Sequence, residues 1–238
     1  MGLAPRQFAS VAAEVAAQAA GLIRPGMRLG LGTGRMASAF IEALRPRIQE
    51  GLRVQGLCSS KASELLARDV GIELLSTSDG ALDLDVDGAD EFDSSINLLK
   101  GGGGALLREK VVAEHSRRFW LLADSSKQVA QLASRHPLPV EVLPFDWEGT
   151  AALCEARFAC QAEVRGGTEG PVVTDNGNYL VDLHFPGGLA DPGEVALRLS
   201  GIAGVLGHGL FLGLATAAIV FDAGGVRVLG NLDSERTP

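Results

Sequence analysis

Residues 82–91 read Leu-Asp-Leu-Asp-Val-Asp-Gly-Ala-Asp-Glu, and residues 100–110 read Lys-Gly-Gly-Gly-Gly-Ala-Leu-Leu-Arg-Glu-Lys. Six carboxylates fall within the eleven residues from Asp83 to Asp93, and Leu82, Leu84, Val86, Ile96, Leu98 and Leu99 flank or interleave with them. An acidic surface turn followed by a floppy glycine linker is one reading of this stretch. The close interleaving with apolar residues favours another, in which strand ends hold charge at a cleft. On that reading 82–86 is a strand, the glycines form a loop, and 105–115 is a helix.

The same alternation continues outward. Upstream, an alanine-rich helical pattern over 8–23 is broken by Arg24-Pro25-Gly26, and a short strand follows at 27–32. Gly32-Thr33-Gly34 then turns the chain into a helix over 36–44, expected to end before Pro46. Residues 52–58 read as a strand, 61–69 as a helix and 72–75 as a short strand; downstream, 119–123 is an apolar strand. Strands alternating with helices predict an α/β fold, a mostly parallel sheet covered on both faces. After Lys127 the texture changes. A proline-bounded strand at 136–144 precedes a helix near 150–160, and Asp175-Asn176-Gly177-Asn178 between 172–174 and 179–184 is a strong hairpin signal. A helix near 192–199 completes a small α+β unit, and 209–229 returns to strand-like runs that rejoin the first sheet. The expected domains are 1–131 plus 208–238, and 132–207.

Composition narrows the class. A chain of 238 residues with 46% hydrophobic content can bury one large core, or one core and a small subdomain. Its formal charge of -8 disfavours a nucleic-acid partner, and no basic patch interleaved with aromatics is present. No apolar run reaches membrane-spanning length and no secretory signal pattern opens the chain, so no membrane partner and a cytoplasmic location are expected. Cys58, Cys154 and Cys160 are odd in number and widely spaced, which suggests neither a disulfide framework nor a zinc site. They are read as small buried hydrophobes. Seventeen arginines accompany only four lysines, at 61, 100, 110 and 127. Lysine kept beside glycine or serine at a strand exit marks Lys100 and Lys127 as candidate ligand contacts, whereas Lys61 and Lys110 read as helix-surface residues.

The chemistry-bearing groups collect at strand exits. Gly32-Thr33-Gly34 can present backbone N–H groups and a hydroxyl to an anion, or be a plain structural turn; its spacing does not match G-x-G-x-x-G, which disfavours a dinucleotide site. Asp87, Gly88, Ala89, Asp90 and Glu91 follow a strand and belong at the carboxyl edge of the sheet, where open α/β sheets bind ligands. Lys100 and the N–H groups of Gly101, Gly102, Gly103 and Gly104 supply positive charge and close backbone approach. Glu109, early in the next helix, reads equally as a helix-start carboxylate or as a base. His115, His136, His184 and His208 show no metal-ligand spacing.

In this order, Gly30-Leu31-Gly32-Thr33-Gly34, Asp87-Gly88-Ala89-Asp90-Glu91, Lys100 to Ala105 with Arg108-Glu109-Lys110, Ala123-Asp124-Ser125-Ser126-Lys127, Pro137-Leu138-Pro139-Val140-Glu141-Val142 and Thr174-Asp175-Asn176-Gly177-Asn178 resemble the type A, metal-independent ribose-5-phosphate isomerases over nearly the whole chain. The resemblance implies a Rossmann-like domain with an inserted ferredoxin-like α+β subdomain, a homo-oligomer (dimer or tetramer), a phosphorylated pentose as substrate, and no cofactor or metal. It further implies Glu109 as the base that moves a proton between C2 and C1, Asp87 as the carrier of hydroxyl protons and assistant in ring opening, and Asp90 as the residue ordering substrate hydroxyls. Lys100 and the loop glycines would stabilise the oxyanion; Gly32, Thr33, Gly34 and Lys127 would hold the phosphate end, with Gly88 and Ala89 beside the substrate.

Two departures stand out. The family's glycine turn usually continues Ser-Thr-Ala, whereas this one continues Arg35-Met36-Ala37, and the lysine the family usually carries near position 12 is replaced by alanines. Arg35 is expected to compensate by bidentate phosphate binding, with Met36 beside it among the substrate contacts. Because these changes lie at the recognition end, isomerisation of a different sugar phosphate is an alternative, as is a non-catalytic sugar-phosphate sensor. A sensor has no use for a base at Glu109.

Overall fold

The computed structural model describes residues 5–76, 80–167, 170–222 and 224–236, with side chains from residue 11 onward. In chain order the elements begin α1 (Pro5–Gly21), β1 (Arg28–Leu31), α2 (Arg35–Gln49), β2 (Gln55–Cys58), α3 (Lys61–Val70), β3 (Glu73–Leu74) and β4 (Leu84–Asp87). They continue with β5 (Glu91–Phe92), β6 (Leu98–Leu99), α4 (Leu106–Glu114), β7 (Phe119–Asp124), a 3-10 turn (Ser125–Lys127), β8 (Leu138–Val142), α5 (Trp147–Phe158) and β9 (Gln161–Val164). The last are β10 (Tyr179–His184), α6 (Pro192–Ser200), β11 (Val205–His208), β12 (Leu210–Phe211), β13 (Ala217–Asp222) and β14 (Gly225–Gly230). The chain divides into two compact units: Met1–Ala89, Arg108–Gln128 and Gly213–Pro238 form one, Asp90–Leu107 and Val129–Leu212 the other.

The first unit is built on a seven-stranded sheet in the order β14-β13-β7-β4-β1-β2-β3. All pairs are parallel except β13 with β14, which form an antiparallel edge hairpin. The strands alternate in a period of two. Leu29, Leu31, Leu84, Val86, Trp120, Leu122, Ile219 and Phe221 face one core together with α1, α2 and α3. The intervening Gly30 faces the other way, toward Val112 of α4, where an added Cβ would lie 2.5 Å from the valine side chain. Helices on both faces follow from strands apolar on both sides. From β1 the chain winds outward in one direction through β2 and β3, and in the other through β4, β7 and β13, so β1 and β4 flank the topological switch point.

The second unit carries a four-stranded antiparallel sheet, β11-β8-β10-β9. With α5 after β8 and α6 after β10, the order β-α-β-β-α-β gives the ferredoxin-like arrangement. Leu138, Val140, Val142, Val181 and Leu183 form its core with Cys154 of α5 and Leu199 of α6. A small three-stranded sheet, β12-β6-β5, completes this unit.

Several local expectations are corrected. Helix α2 does not stop before Pro46 but runs through it to Gln49. A proline removes one helical N–H, and the turn beyond it is tied down instead by the Arg47 guanidinium, which donates to the carbonyls of Ala20 and, at 2.7 Å, of Ile23. Residues 90–107 group with the second unit rather than with a 1–131 domain, because β5 and β6 pair with each other and β6 pairs with β12. Within 209–229, β13 rejoins the parallel sheet while β12 does not. Cys154 is buried as expected, whereas Cys58 and Cys160 are only half-buried; desolvation still pushes the Cys58 thiol up to about 12 and that of Cys154 to about 11, and raises Cys160 as well.

Candidate active site

Four neighbouring parallel strands deliver polar residues to the carboxyl edge of the first unit's sheet: Lys127 just beyond β7, Asp87 at the end of β4, Thr33 beyond β1 and Ser59 beyond β2. Asp87 is the best anchored. Its side chain is on the face opposite Leu84 and Val86 and is 1% exposed. One carboxylate oxygen accepts from the N–H of Gly88 at 2.7 Å and from that of Thr33 at 3.2 Å. The glycines explain why it fits. Gly30 is in register with Asp85, and an added Cβ there would lie 2.7 Å from an Asp85 oxygen; at Gly32 it would lie 2.1 Å from Asp87 Cγ. The motif Gly-Leu-Gly thus makes room for two aspartates of the adjacent strand, in addition to turning the chain.

Gly34 sits at the N-cap of α2 with φ 99°, and no side chain caps that helix. The first N–H groups of a helix lack intrahelical acceptors, so this 15-residue helix directs uncapped backbone N–H groups outward beside Asp87's strand. Arg35, its first residue, is exposed. Met36, expected among the substrate contacts, turns its side chain into the hydrophobic core, leaving its backbone N–H as the group available to a ligand. Lys127 closes the 3-10 turn that follows β7 and is half-buried; Asp124 caps that turn by accepting from Ser126 N–H at 3.0 Å. Glu109 lies in the first turn of α4 and is only 4% exposed. Lys110, read from the sequence as a surface residue, is half-buried, and desolvation pushes its ammonium down to about 8 despite the opposing charge of Glu114.

In the second unit, Asp90 and the glycine loop form one structure. The Asp90 N–H donates to Leu99 O at 2.8 Å, and its carboxylate accepts from Gly102 N–H at 2.7 Å. Gly101 and Gly104 adopt φ of 109° and 81°, backbone conformations costly for any other residue, and Gly104 N–H closes the turn onto Gly101 O at 3.0 Å. Gly102 and Gly103 are exposed. Lys100 is 3% exposed, anchored by its N–H on Gly209 O, with its ammonium 5.6 Å from the centre of the Phe211 ring.

Sequence reasoning missed two supports. The Thr33 hydroxyl is bonded to Ser59 Oγ at 2.7 Å and to Ser60 Oγ at 2.8 Å, and Ser60 caps α3. A serine pair just before an amphipathic helix is a capping signature that marks a strand exit beside the glycine turn. The other is Arg165, whose guanidinium donates to the carbonyls of Gly101 and Gly102 and which no local pattern announces. Among the described residues no group of three or more His, Cys, Asp or Glu side chains is arranged to hold a metal ion, and no helix is long and apolar enough to cross a membrane.

An open parallel sheet whose switch-point strands end in a backbone-held aspartate and a glycine turn, followed by an uncapped helix N-terminus, defines an α/β enzyme for a small anionic substrate. Comparison with known proteins specifies it. Residues 55–225 match the family model of ribose 5-phosphate isomerase A (phosphoriboisomerase A). A ribose-5-phosphate isomerase A of Nitrobacter hamburgensis is 46% identical over 223 residues, covering 91% of this chain and 95% of the relative. The isomerase structure from Methanocaldococcus jannaschii superposes with a TM-score of 0.88 at 34% identity, covering 94% of this chain and all of that one. A D-ribose-5-phosphate isomerase in complex with phospho-erythronic acid superposes equally well, TM-score 0.88 at 35% identity, covering 96% of this chain and 100% of its own. The chain belongs to the ribose 5-phosphate isomerase A family. It is an isomerase that interconverts ribose 5-phosphate and ribulose 5-phosphate.

Proposed function

We propose that Glu109 is the general base of this isomerisation. The observation that carries it is a glutamate 4% exposed in the first turn of a helix entered directly from the four-glycine loop. Burial of a carboxylate with no surface role is what a proton carrier to carbon requires. In the aldose-to-ketose direction Glu109 takes the C2 proton; the C–H electron pair becomes the C1=C2 bond and O1 takes the negative charge. The proton then returns from Glu109 to C1, while the O2 hydroxyl loses its proton as C2=O forms and O1 gains one. Asp87 carries that oxygen-to-oxygen transfer and assists opening of the furanose, a task suited to a carboxylate held by two backbone N–H groups.

Lys100 and the loop N–H groups stabilise the O1 charge, a contribution of about 3 kcal/mol per donor. Asp90 orders substrate hydroxyls while fixing the loop through Gly102. At the phosphate end, Gly34, the α2 N-terminus, Thr33 and Lys127 bind the anion, and Arg35 replaces the hydroxyls missing from Arg35-Met36. Family membership supports placing the enzyme in the non-oxidative pentose phosphate pathway of the cytoplasm, as a homo-oligomer.

The enediolate route is tested by incubating the protein with ribose 5-phosphate in deuterated water. Solvent deuterium is expected at C2 of recovered ribose 5-phosphate, because the proton held on the Glu109 carboxyl exchanges with solvent in a fraction of turnovers before it returns; label absent from both C2 of ribose 5-phosphate and C1 of ribulose 5-phosphate after many turnovers would contradict this route. Phospho-erythronic acid joins a phosphate to a planar carboxylate shaped like the enediolate. It is expected to compete with ribose 5-phosphate.

A further inference from the structure

The glycine loop is held from a side that the reaction does not use. Arg165 follows β9, and its guanidinium engages Asp182 of β10 through two parallel bonds, Nε to Oδ2 at 2.9 Å and Nη2 to Oδ1 at 2.5 Å. The remaining nitrogen, Nη1, donates to the carbonyls of Gly101 at 2.8 Å and of Gly102 at 3.2 Å. A carboxylate has no hydrogen to give the loop carbonyls, so Asp182 acts by aiming and neutralising the arginine. The Arg165 backbone is fixed too, by its N–H on Leu180 O and by Val172 N–H on its own carbonyl. The loop lies on the helix-free face of the four-stranded sheet, where a Cβ at Gly101 would meet Pro139 at 3.2 Å and one at Gly104 would meet Leu180 at 3.3 Å.

Peptide geometry gives this clamp a direction. In a trans peptide the C=O and the following N–H point opposite ways. Across the 101–102 peptide, the carbonyl faces Arg165 and the N–H faces Asp90. Across the 102–103 peptide the carbonyl also faces Arg165, so the Gly103 N–H points away from it, to the side on which Asp90 lies. Four glycines in a row have little stiffness of their own, and a charged donor on two successive carbonyls supplies it.

We propose that Arg165, aimed by Asp182, is a positioning residue that sets the direction of the Gly103 N–H used against the oxyanion and, through the Gly102 N–H, the seat of the Asp90 carboxylate. The proposal rests on the reading of the loop as an oxyanion binder. Replacing Arg165 leaves the ligand groups in place but lets the peptides rotate. It therefore lowers turnover more than affinity.

The test combines two readouts. Hydrogen exchange of the loop amides in the unliganded protein is independent of catalysis: Arg165→Met is expected to speed exchange in 101–104 at least tenfold, and unchanged exchange would overturn the clamp whatever the enzyme does. Steady-state kinetics on ribose 5-phosphate tests its use. Arg165→Met is expected to lower kcat about tenfold with KM within twofold, and Arg165→Lys to fall between, since an ammonium can hold a carbonyl but cannot form the fork. A kcat within twofold of wild type, or a KM that rises while kcat is unchanged, would overturn the positioning role. If Arg165→Met does not fold, Asp182→Asn carries the same test, with a drop of about threefold expected and none overturning it. Failure of the oxyanion reading itself is read separately in the wild-type protein, as bound phospho-erythronic acid that leaves exchange of the Gly103 amide unchanged.

Discussion

Gly32→Ala is a one-methyl perturbation whose consequence can be worked out from the geometry. The backbone at Gly32 is not in the left-handed region, so alanine is conformationally acceptable there and the effect is purely steric. Its Cβ would lie 2.1 Å from Asp87 Cγ, 2.3 Å from Oδ1 and 2.5 Å from Cβ. Carbon contacts settle near 3.5 Å, so the aspartate must withdraw by roughly 1.4 Å. That retreat breaks its bonds to Gly88 N–H and Thr33 N–H. Overpacking costs about 1–3 kcal/mol, and a hydrogen bond to a charged group is worth about 1.5–3 kcal/mol. With partial relaxation the expected loss of stability is about 2–4 kcal/mol. A misplacement of about 1 Å in a reacting group costs on the order of 100-fold in rate, so kcat on ribose 5-phosphate should fall by about that factor. Urea unfolding and steady-state kinetics measure the two effects. In an Asp87→Gly background the three atoms nearest the new methyl are gone, and most of its stability cost should vanish. A Gly32→Ala enzyme with kcat within fivefold of wild type would refute the pairing of this glycine with a working Asp87.

Glu141 is fully buried and its Oε1 accepts from Thr174 Oγ1, Asn176 Nδ2 and Asn178 Nδ2 at 2.9, 3.0 and 2.8 Å, so Glu141→Leu strands three donors and should cost about 3 kcal/mol in urea unfolding; a loss under about 1 kcal/mol would contradict this. Lys110 has a folded-state pKa lowered to about 8 from 10.5, so the unfolded chain binds the extra proton between those values and the wild type gains stability from this group as pH rises through them. The Tm advantage of Lys110→Met over wild type should therefore shrink from pH 7 to pH 10; a constant difference would show that the ammonium is not desolvated. Arg35→Ala should raise KM for ribose 5-phosphate by about tenfold or more with kcat little changed, as loss of a charged phosphate contact requires, and a preserved KM would leave Arg35 without a binding role.

The parallel half of the fold was legible because its strands are bounded by glycine turns and alternate with amphipathic helices. The aspartates of 83–87 were placed at a strand edge on the strength of their alternation with Leu84 and Val86, and Asp87 is found there. What was not legible depends on pairing at a distance. β5, β6 and β12 are two residues long and have no period to read; they exist because they pair with one another. β9 alternates only half-buried and exposed residues and so lacks an apolar signal. Pro46 signalled a helix end, but the Arg47 contacts to the α1 carboxyl end outweigh one lost hydrogen bond. Gly32-Thr33-Gly34 reads from the sequence as an anion-binding turn or a plain structural one, whereas the steric partners of Gly30 and Gly32, Asp85 and Asp87, sit more than fifty positions away. Arg165 reaches Gly101 from sixty-four residues downstream, and one arginine among seventeen carries no mark of that.

The role of Glu109 is tested most directly by Glu109→Gln, which keeps shape and burial but removes the capacity to accept a proton. General-base removal costs about 10²–10⁴-fold, so kcat on ribose 5-phosphate and deuterium exchange at C2 should both fall within or beyond that range, with the urea unfolding transition retained. A folded Glu109→Gln protein that turns over and exchanges the C2 proton at near-wild-type rates would contradict the assignment.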